Sequence, residues 1–282
     1  MKSKKAFSDR TYVMGVLNVT PDSFSDGGRF FDRQKALAHA LEMARDGADI
    51  IDVGGESTRP GSNAVSVEEE LGRVIPVISR ISKKAKVAIS IDTRKSKVAE
   101  EAVRAGASII NDISGLRHDP KIASVAAKRG ARLILMHMKG APKDMQAAPR
   151  YKNLMKEIIN YFKESIDIAK HFGVPKEDII VDPGIGFGKT LEHNLEILNR
   201  LDELKALGCP ICVGTSRKSF IGKTLGISRP DDRLAGTLAT CAIAIMKGAN
   251  IMRVHDVREA VQLSRMVDSV SREKGFSVKC QN

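Results

Sequence analysis

The sequence predicts an α/β fold, a (β/α)8 TIM barrel built as one domain over residues 1–282. Three observations lead there. A short pattern recurs at Gly47-Ala48-Asp49-Ile50-Ile51-Asp52, Gly106-Ala107-Ser108-Ile109-Ile110-Asn111, Gly130-Ala131-Arg132-Leu133-Ile134-Leu135 and Gly248-Ala249-Asn250-Ile251-Met252-Arg253. In each, a Gly closes a helical pattern and an unbroken apolar run follows, with a polar residue after it. Gly is the usual helix C-cap residue, and an apolar run without alternation suits a strand buried on both faces. Strand and helix patterns also alternate along the whole chain, and polar side chains stand at the strand ends.

The strand patterns fall at 12–17, 49–53, 87–91, 108–112, 132–136, 179–181, 211–214 and 251–254. The helical patterns fall at 34–45, 67–84, 97–105, 120–128, 151–172, 191–207, 232–247 and 257–273. Strict alternation in a chain of this length argues for the barrel, with a doubly wound open sheet as the fallback. Ser66 with Glu69 and Asp256 with Glu259 have capping-box spacing, and Asp119-Pro120 puts Pro at a first helical position. Pro76 predicts a kink in the second helix. No Pro/Gly/Ser-rich linker divides the chain. The longest insertions follow strands one, two and five, including 19–32 and 54–66; such loops on one rim commonly bind ligand or act as lids.

Composition bounds the partners. The net charge of +12 invites nucleic acid, but there is no Trp, aromatics are 4% and the basic residues are scattered. Stacking on single strands needs aromatic platforms in a charged groove, so solvated helix faces and a small-anion site are expected, not nucleic acid. The apolar run around Ala239 to Met246 is too short to span a bilayer. No apolar stretch follows Lys2 to Lys5 as a secretory signal would require. With four cysteines, the expectation is a cytoplasmic protein in which Cys209-Pro210-Ile211-Cys212, at a strand start, is structural.

Asp182-Pro183-Gly184-Ile185-Gly186-Phe187-Gly188-Lys189 follows the apolar run Ile179-Ile180-Val181. Its glycines run G-x-G-x-G, which fails the dinucleotide fingerprint, and Pro183 stands where a P-loop needs its first Gly. What remains is a carboxylate at a strand end beside a turn that can approach a ligand closely. In a barrel the active site lies at the C-terminal strand ends. Those ends here carry Asn18, Asp52, Asp92, Asn111 with Asp112, His137, Asp182, Lys218 and Arg253 with His255. Asp112, Thr93 and Ser114 are assigned to caps and turns. Asp92, Asn111 and Asp182 offer acceptors and one amide, which suits a planar ligand rich in N–H donors. Arg253, His255 and Arg59 offer donors for phosphate, and Lys218 is a cation near the centre. His39, His171 and His193 fall in helical patterns and are expected to be exposed.

Read together, several segments resemble the dihydropteroate synthase family. They are Gly15 to Gly28 (GVLNVTPDSFSDGG), Gly54 to Gly61 (GGESTRPG), Ile91-Asp92-Thr93, Asn111 to Gly115 (NDISG), Asp182 to Thr190 (DPGIGFGKT), Ser216 to Phe220 (SRKSF) and Arg253 to Asp256 (RVHD), in family order over nearly the whole chain. The resemblance implies a (β/α)8 barrel that condenses 6-hydroxymethyl-7,8-dihydropterin pyrophosphate with p-aminobenzoate, using Mg2+. It implies a pterin slot of Asp92, Asn111, Met136, Asp182, Gly214 and Lys218, with Arg253 covering the ring. It implies a pyrophosphate site of Asn18, also the Mg2+ ligand, with Thr58, Arg253 and His255. The p-aminobenzoate site would be assembled by two mobile loops, with Phe24, Asp26, Ser57, Thr58, Arg59, Pro60, Phe187, Lys218 and Ser219 nearby, and sulfonamides would compete there. Asp182, Lys218, Asp26 and Arg253 carry the catalytic expectation. The family is commonly dimeric, and the run 238–245 could supply a homodimer interface or pack on its own barrel. A pterin-dependent methyltransferase shares the barrel and the pterin-holding positions but needs no pyrophosphate site; a silent pterin binder would not need Lys218.

Overall fold

The computed structural model describes residues 7, 9–20, 28–57, 65–140, 145 and 149–273, apart from the side chains of residues 28–32 and 272. Eight parallel strands carry the molecule: β1 (Tyr12–Asn18), β2 (Ile50–Gly54), β3 (Ala88–Asp92), β4 (Ile109–Asp112), β5 (Arg132–Met136), β6 (Ile179–Asp182), β7 (Cys212–Val213) and β8 (Ile251–Val254). They neighbour one another in the order β6-β5-β4-β3-β2-β1-β8-β7. The remaining seam, between β6 and β7, is held by a parallel bridge of Val181 with Ile211, and Val181 N donates to Pro210 O at 2.9 Å. The ring therefore closes on itself at its shortest strand.

Around it lie α1 (Gly28–Arg45), α2 (Val67–Lys84), α3 (Ser96–Ala105), α4 (Lys121–Arg129), α5 (Leu154–His171), α6 (Leu191–Asn199), α7 (Ser219–Leu225), α8 (Leu234–Met246) and α9 (Val257–Arg272). A large apolar cluster, including Leu17, Ile51, Ile78, Ile91, Ile110, Phe162 and Val181, fills the layer between strands and helices. Each fully buried Ile or Leu there is worth about 1.5–3 kcal/mol relative to exposure.

Strand alternation explains why the other face becomes a site. Successive side chains on a strand point to opposite faces. A second, smaller cluster of Met14, Ile50, Ile109, Ile134, Ile180, Cys212 and Ile251 comes from seven strands and fills the barrel interior. Two residues further along the same faces stand Val16, Asp52, Asn111, Met136, Asp182, Gly214 and Arg253. The apolar layer is thus a floor, and the next layer up carries the polar side chains Asp52, Asn111, Asp182 and Arg253.

Phe7 belongs to the lower cluster and closes the other end. Its ring meets Tyr12 edge-on with centroids 4.8 Å apart, and the Arg132 guanidinium lies 4.3 Å over it. Arg10 pairs with Asp49, and the Asp268 carboxylate accepts from Thr11 N at 2.7 Å and Thr11 Oγ1 at 2.9 Å. These ties stabilise the N-terminal face of the barrel.

The expected boundaries agree with the strands to within a residue or two, but several details differ. α1 begins at Gly28, inside the stretch 19–32 read as loop. The pattern 191–207 divides into α6 and a 3-10 segment, Leu201–Leu207, at Arg200. The pattern 232–247 likewise opens as a 3-10 turn, Pro230–Arg233, before α8. α7 was not expected; it is seven residues long and ends at the left-handed Gly226. α2 continues through Pro76. Ser66 Oγ accepts from Glu69 N at 3.1 Å as its spacing predicts. Asp256 makes no cap bond to α9, because Arg217 claims its carboxylate. Asp119 serves two helix starts, accepting from Lys121 N at 3.1 Å and Ser96 N at 2.8 Å. Among the described residues no helix is long and apolar enough to cross a membrane.

Candidate active site

At the C-terminal mouth one guanidinium organises one side. Arg253 of β8 donates from Nε to Asp52 Oδ2 at 2.7 Å and from Nη2 to Asp92 Oδ2 at 2.8 Å. Asn111 Nδ2 donates to the same Asp52 oxygen at 3.0 Å. Asp52 is fully buried, and its other oxygen has no partner among the described residues. Burial pushes the Asp92 carboxyl up to about 7; Arg253 opposes that shift and the Asp52 charge adds to it. Two buried carboxylates share one cation, so the cluster is held together while acceptor capacity is left over on Asp52 Oδ1. A lone buried carboxylate would instead protonate or be excluded.

Asp182 ends β6 directly opposite Met136 of β5. Its Oδ1 accepts from Gly184 N at 2.7 Å, and burial raises its pKa, opposed chiefly by Lys218. Gly184, Gly186 and Gly188 all have positive φ. A Cβ at Gly184 would lie 2.0 Å from His137 O, and one at Gly188 would lie 2.2 Å from Lys139 O. The turn therefore needs glycine for contact with the β5 end as well as for its dihedrals. Lys218, the residue before α7, donates from Nζ to Ile185 O and lies 4.8 Å over the Phe187 ring. Burial brings its pKa down to about 8. Phe187 is half-buried, Met136 is buried, and Ser219 is exposed at the first position of α7.

Lys189 gives the near-P-loop its explanation. It is 2% exposed and turns inward; Nζ donates to Phe187 O at 2.9 Å and His137 O at 3.3 Å, and lies 3.0 Å from His137 Nδ1. Burial pushes both Lys189 and His137 well below their ordinary pKa values. The lysine pins the β6–α6 turn to the β5 end instead of reaching for phosphate. His137, expected at the rim, is buried against Tyr161 with ring centroids 4.7 Å apart. His193, expected to be exposed, is half-buried and completes a capping box with Thr190.

His255 directly follows β8. Its amide donates to Ser216 Oγ at 3.1 Å, and its Nδ1 lies 3.0 Å from the same hydroxyl. Burial, followed by the charges of Arg253 and Arg217, brings its pKa down to about 4. His255 is thus a neutral imidazole at pH 7. Asn18 ends β1 in register with Gly54, which is in register with Asp92. A Cβ at Gly54 would lie 3.8 Å from Asn18 Oδ1 and 3.9 Å from Asp92 Oδ2, so glycine leaves the space between these side chains clear. Gly214 does the same for Arg253, whose Cδ would be 3.9 Å from a Cβ there. Among the described residues no group of three or more His, Cys, Asp and Glu side chains could hold a metal ion.

The structure thus brings together Asn18, Asp92, Asn111, Met136, Asp182, Phe187, Gly214, Lys218, Ser219, Arg253 and His255 around one mouth. Phe24, Asp26, Thr58, Arg59 and Pro60 lie outside the described residues. Asp112 and Ser114 form the expected turn, with Asp112 Oδ1 accepting from Ser114 N at 2.8 Å. Sequence reasoning placed Asp52 at the rim without a role; the signal that could have found it was its parity with Ile50 on a strand buried on both faces. Cys209, Cys212 and Cys241 are buried free thiols.

Comparison with known proteins agrees with this geometry. Residues 14–255 match the family model described as pterin binding enzyme. The chain is 50% identical to the dihydropteroate synthase of Bacillus subtilis (strain 168) over 273 residues, which is 97% of this chain and 93% of the relative. It superposes with a TM-score of 0.90 on a crystal structure of dihydropteroate synthase from Clostridium difficile in the presence of pteroic acid. That pair shares 50% identity, with 95% of this chain and 99% of the other covered. The Xanthomonas albilineans dihydropteroate synthase solved with 4-aminobenzoic acid gives a TM-score of 0.88 at 44% identity, over 93% of this chain and 94% of the other. The barrel, its buried polar rim and this likeness over nearly the full length lead to one conclusion: the chain belongs to the dihydropteroate synthase family of pterin-binding enzymes.

Proposed function

We propose that this chain, as one domain, condenses 6-hydroxymethyl-7,8-dihydropterin pyrophosphate with p-aminobenzoate, giving 7,8-dihydropteroate and pyrophosphate in folate biosynthesis. The observation that carries this reading at residue level is the convergence of Asp92, Asn111 and Asp182 on one side of a mouth with Lys218, Arg253 and His255. The ligands of the Clostridium difficile and Xanthomonas albilineans structures, pteroic acid and 4-aminobenzoic acid, support it.

In this reading Asp92 and Asp182 accept from the amino and ring N–H groups of the pterin, while Asn111 supplies an amide and Met136 packs beneath the ring. The methylene C–O bond breaks first, and its electron pair leaves with the pyrophosphate. The resulting cation is delocalised into the pterin and stabilised by the Asp182 carboxylate. The arylamine lone pair then forms the C–N bond and an amine proton is released. Lys218, held between Ile185 O and the Phe187 ring, borders both substrates. The Arg253 guanidinium keeps Nη1 clear of hydrogen bonds among the described residues, and that edge meets the pyrophosphate beside a neutral His255. Phe24, Asp26, Thr58, Arg59 and Pro60 are assigned to the p-aminobenzoate side by family resemblance, and Ser219 by resemblance and its place at the start of α7.

The residues fit a Mg2+ ion. Mg2+ prefers hard oxygen donors and is commonly held by one or two protein oxygens with waters and substrate phosphates. Asn18 Oδ1, beside the gap left by Gly54, supplies such a donor. Bound there, the ion would neutralise charge on the departing pyrophosphate.

We also propose a cytoplasmic homodimer. The run 238–245 is only partly available, because Cys241, Ala244 and Ile245 are buried on the protein's own barrel. The apolar face that is exposed combines Ile243 and Met246 of α8 with Met266 and Val270 of α9, which are 47%, 62%, 65% and 62% exposed. A face of that character is expected to be covered.

The test is direct. Purified protein with the pterin pyrophosphate, p-aminobenzoate and Mg2+ is expected to form dihydropteroate. Asp182→Ala and Lys218→Ala are each expected to lower kcat/KM by about 10²–10³-fold, as loss of a transition-state electrostatic contact does. No product with pterin still bound would mean a silent binder, and near-parental activity in either variant would remove the role given to that residue.

A further inference from the structure

Arg217 sits between Ser216 and Lys218, and its backbone is left-handed, with φ +59°. Leu116 and Glu273 are the other non-glycine positions with positive φ among the described residues. A Cβ makes this conformation unfavourable, and it persists where the surroundings over-determine it. The surroundings do so here. Arg217 N donates to Thr237 Oγ1 at 3.0 Å, and its carbonyl accepts from Arg233 Nη1 at 2.9 Å. Its guanidinium grips the Asp256 carboxylate with Nε at 3.1 Å and Nη2 at 2.6 Å, and Nη1 reaches Asp231 Oδ1 at 2.5 Å. Glycine, which would fit the backbone without cost, would supply none of the guanidinium contacts.

The residues on either side make this arrangement matter. Ser216 Oγ accepts from His255 N and lies 3.0 Å from His255 Nδ1. Lys218 donates to Ile185 O and lies over Phe187. Asp256, the group Arg217 grips, directly follows His255. One clamp therefore ties the β7–α7 turn to the end of β8, and site residues flank it on both strands. A bidentate Arg–carboxylate pair fixes orientation as well as distance.

We propose that Arg217 is a positioning residue: its bidentate grip on Asp256 and its left-handed backbone hold Lys218 and the Ser216–His255 pair at the mouth, while Arg217 touches no substrate. The proposal rests on Lys218 acting in the site as described above.

Arg217→Asn keeps a residue type that tolerates the left-handed region and removes the guanidinium. Asp256→Asn removes the charge it grips at nearly constant volume. Each is expected to lower kcat/KM by about 10²-fold, the cost of a displacement near 1 Å at a reacting centre, and the double variant is expected to lose no more than either single one. Combined with Lys218→Ala, Arg217→Asn should cost less than about tenfold more, since groups acting through one another are not additive. Incorporation of radiolabelled p-aminobenzoate into dihydropteroate reads all of these, and circular dichroism confirms folding. A role confined to stability predicts losses that multiply and follow the drop in melting temperature; that outcome overturns the proposal. Parental kcat/KM in Arg217→Asn, with Lys218→Ala impaired, overturns it alone. Parental activity in Lys218→Ala overturns the site assignment beneath it. If Arg217→Asn does not fold, Asp256→Asn, which leaves both backbone bonds of the turn in place, carries the same expectation and the same refutation.

Discussion

Gly184→Ala tests how tightly the Asp182 turn is built. Gly184 has φ +67°, and an added Cβ would lie 2.0 Å from His137 O, 3.2 Å from its carbonyl carbon and 3.3 Å from Met136 Cγ. Ordinary contact starts at 3.4 Å, so the turn and the β5 end must part by about 1.4 Å, the difference between 3.4 and 2.0 Å. The obstacle is a backbone carbonyl, which no rotamer change can move aside. Left-handed Ala costs about 1–2 kcal/mol, and overpacking adds roughly 1–3 kcal/mol. The total, about 2–5 kcal/mol, corresponds to a Tm drop of roughly 3–8 °C for a domain of this size. The catalytic consequence follows from one bond: Gly184 N holds Asp182 Oδ1 at 2.7 Å, so the displacement reaches the carboxylate. A shift near 1 Å at a reacting centre costs about 10²-fold in rate. Gly130→Ala is the control, because Gly130 has φ +64° with nothing within 4 Å of a Cβ. It is expected to cost about 1 kcal/mol through the backbone alone, with kcat/KM unchanged. Dihydropteroate formation and thermal melts on both variants are the assays. A Gly184→Ala enzyme within about threefold of parental kcat/KM, or an equal catalytic loss in Gly130→Ala, refutes the reasoning.

Other expectations concern charge, the buried lysine and assembly. Lys218 titrates near 8, so kcat/KM should fall above about pH 8 as its charge is lost; a flat profile from pH 7 to 9.5 would remove the need for the ammonium. Asp92 is raised to about 7 from 3.8, so the folded state binds more protons than the unfolded one in that interval. Its contribution to stability is therefore full below about pH 4 and is lost as pH rises to about 7. Melts across this range should slope less in Asp92→Asn than in the parent, and equal slopes would contradict the shift. Lys189→Met leaves His137 O and Phe187 O without the donor they share. Loss of about 2–6 kcal/mol follows from roughly 1–3 kcal/mol for each of these two buried unsatisfied groups, and denaturant unfolding with an unchanged midpoint would count against it. Ile243→Glu with Met266→Lys is expected to convert a dimer to monomer in sedimentation velocity. A parent already monomeric, or a charged variant still dimeric, would show that this face is not the interface.

The amino-acid sequence by itself determined the architecture, because the necessary signals are local. Unbroken apolar runs such as Ile109-Ile110 and Ile179-Ile180-Val181, closed by Gly caps and joined by amphipathic helices, leave few alternatives to a parallel barrel. It also determined which side chains could face the mouth, since position on a strand sets the face: Asp52, Asn111, Asp182 and Arg253 each stand two residues beyond an interior Ile. What those side chains do to one another was decided only by tertiary structure. Nothing local distinguishes Lys218, placed at Ile185 O and Phe187, from Lys189, turned away to His137. Nor does anything local say that Arg253 would be shared by Asp52 and Asp92, or that Asp256 would be taken from its expected capping role by Arg217. The break at Arg200 and the short α7 escaped for the same reason. Periodicity and capping are read along the chain over a turn or two, whereas the partner of a charge is set by which strand ends the closing barrel brings within about 3 Å of one another.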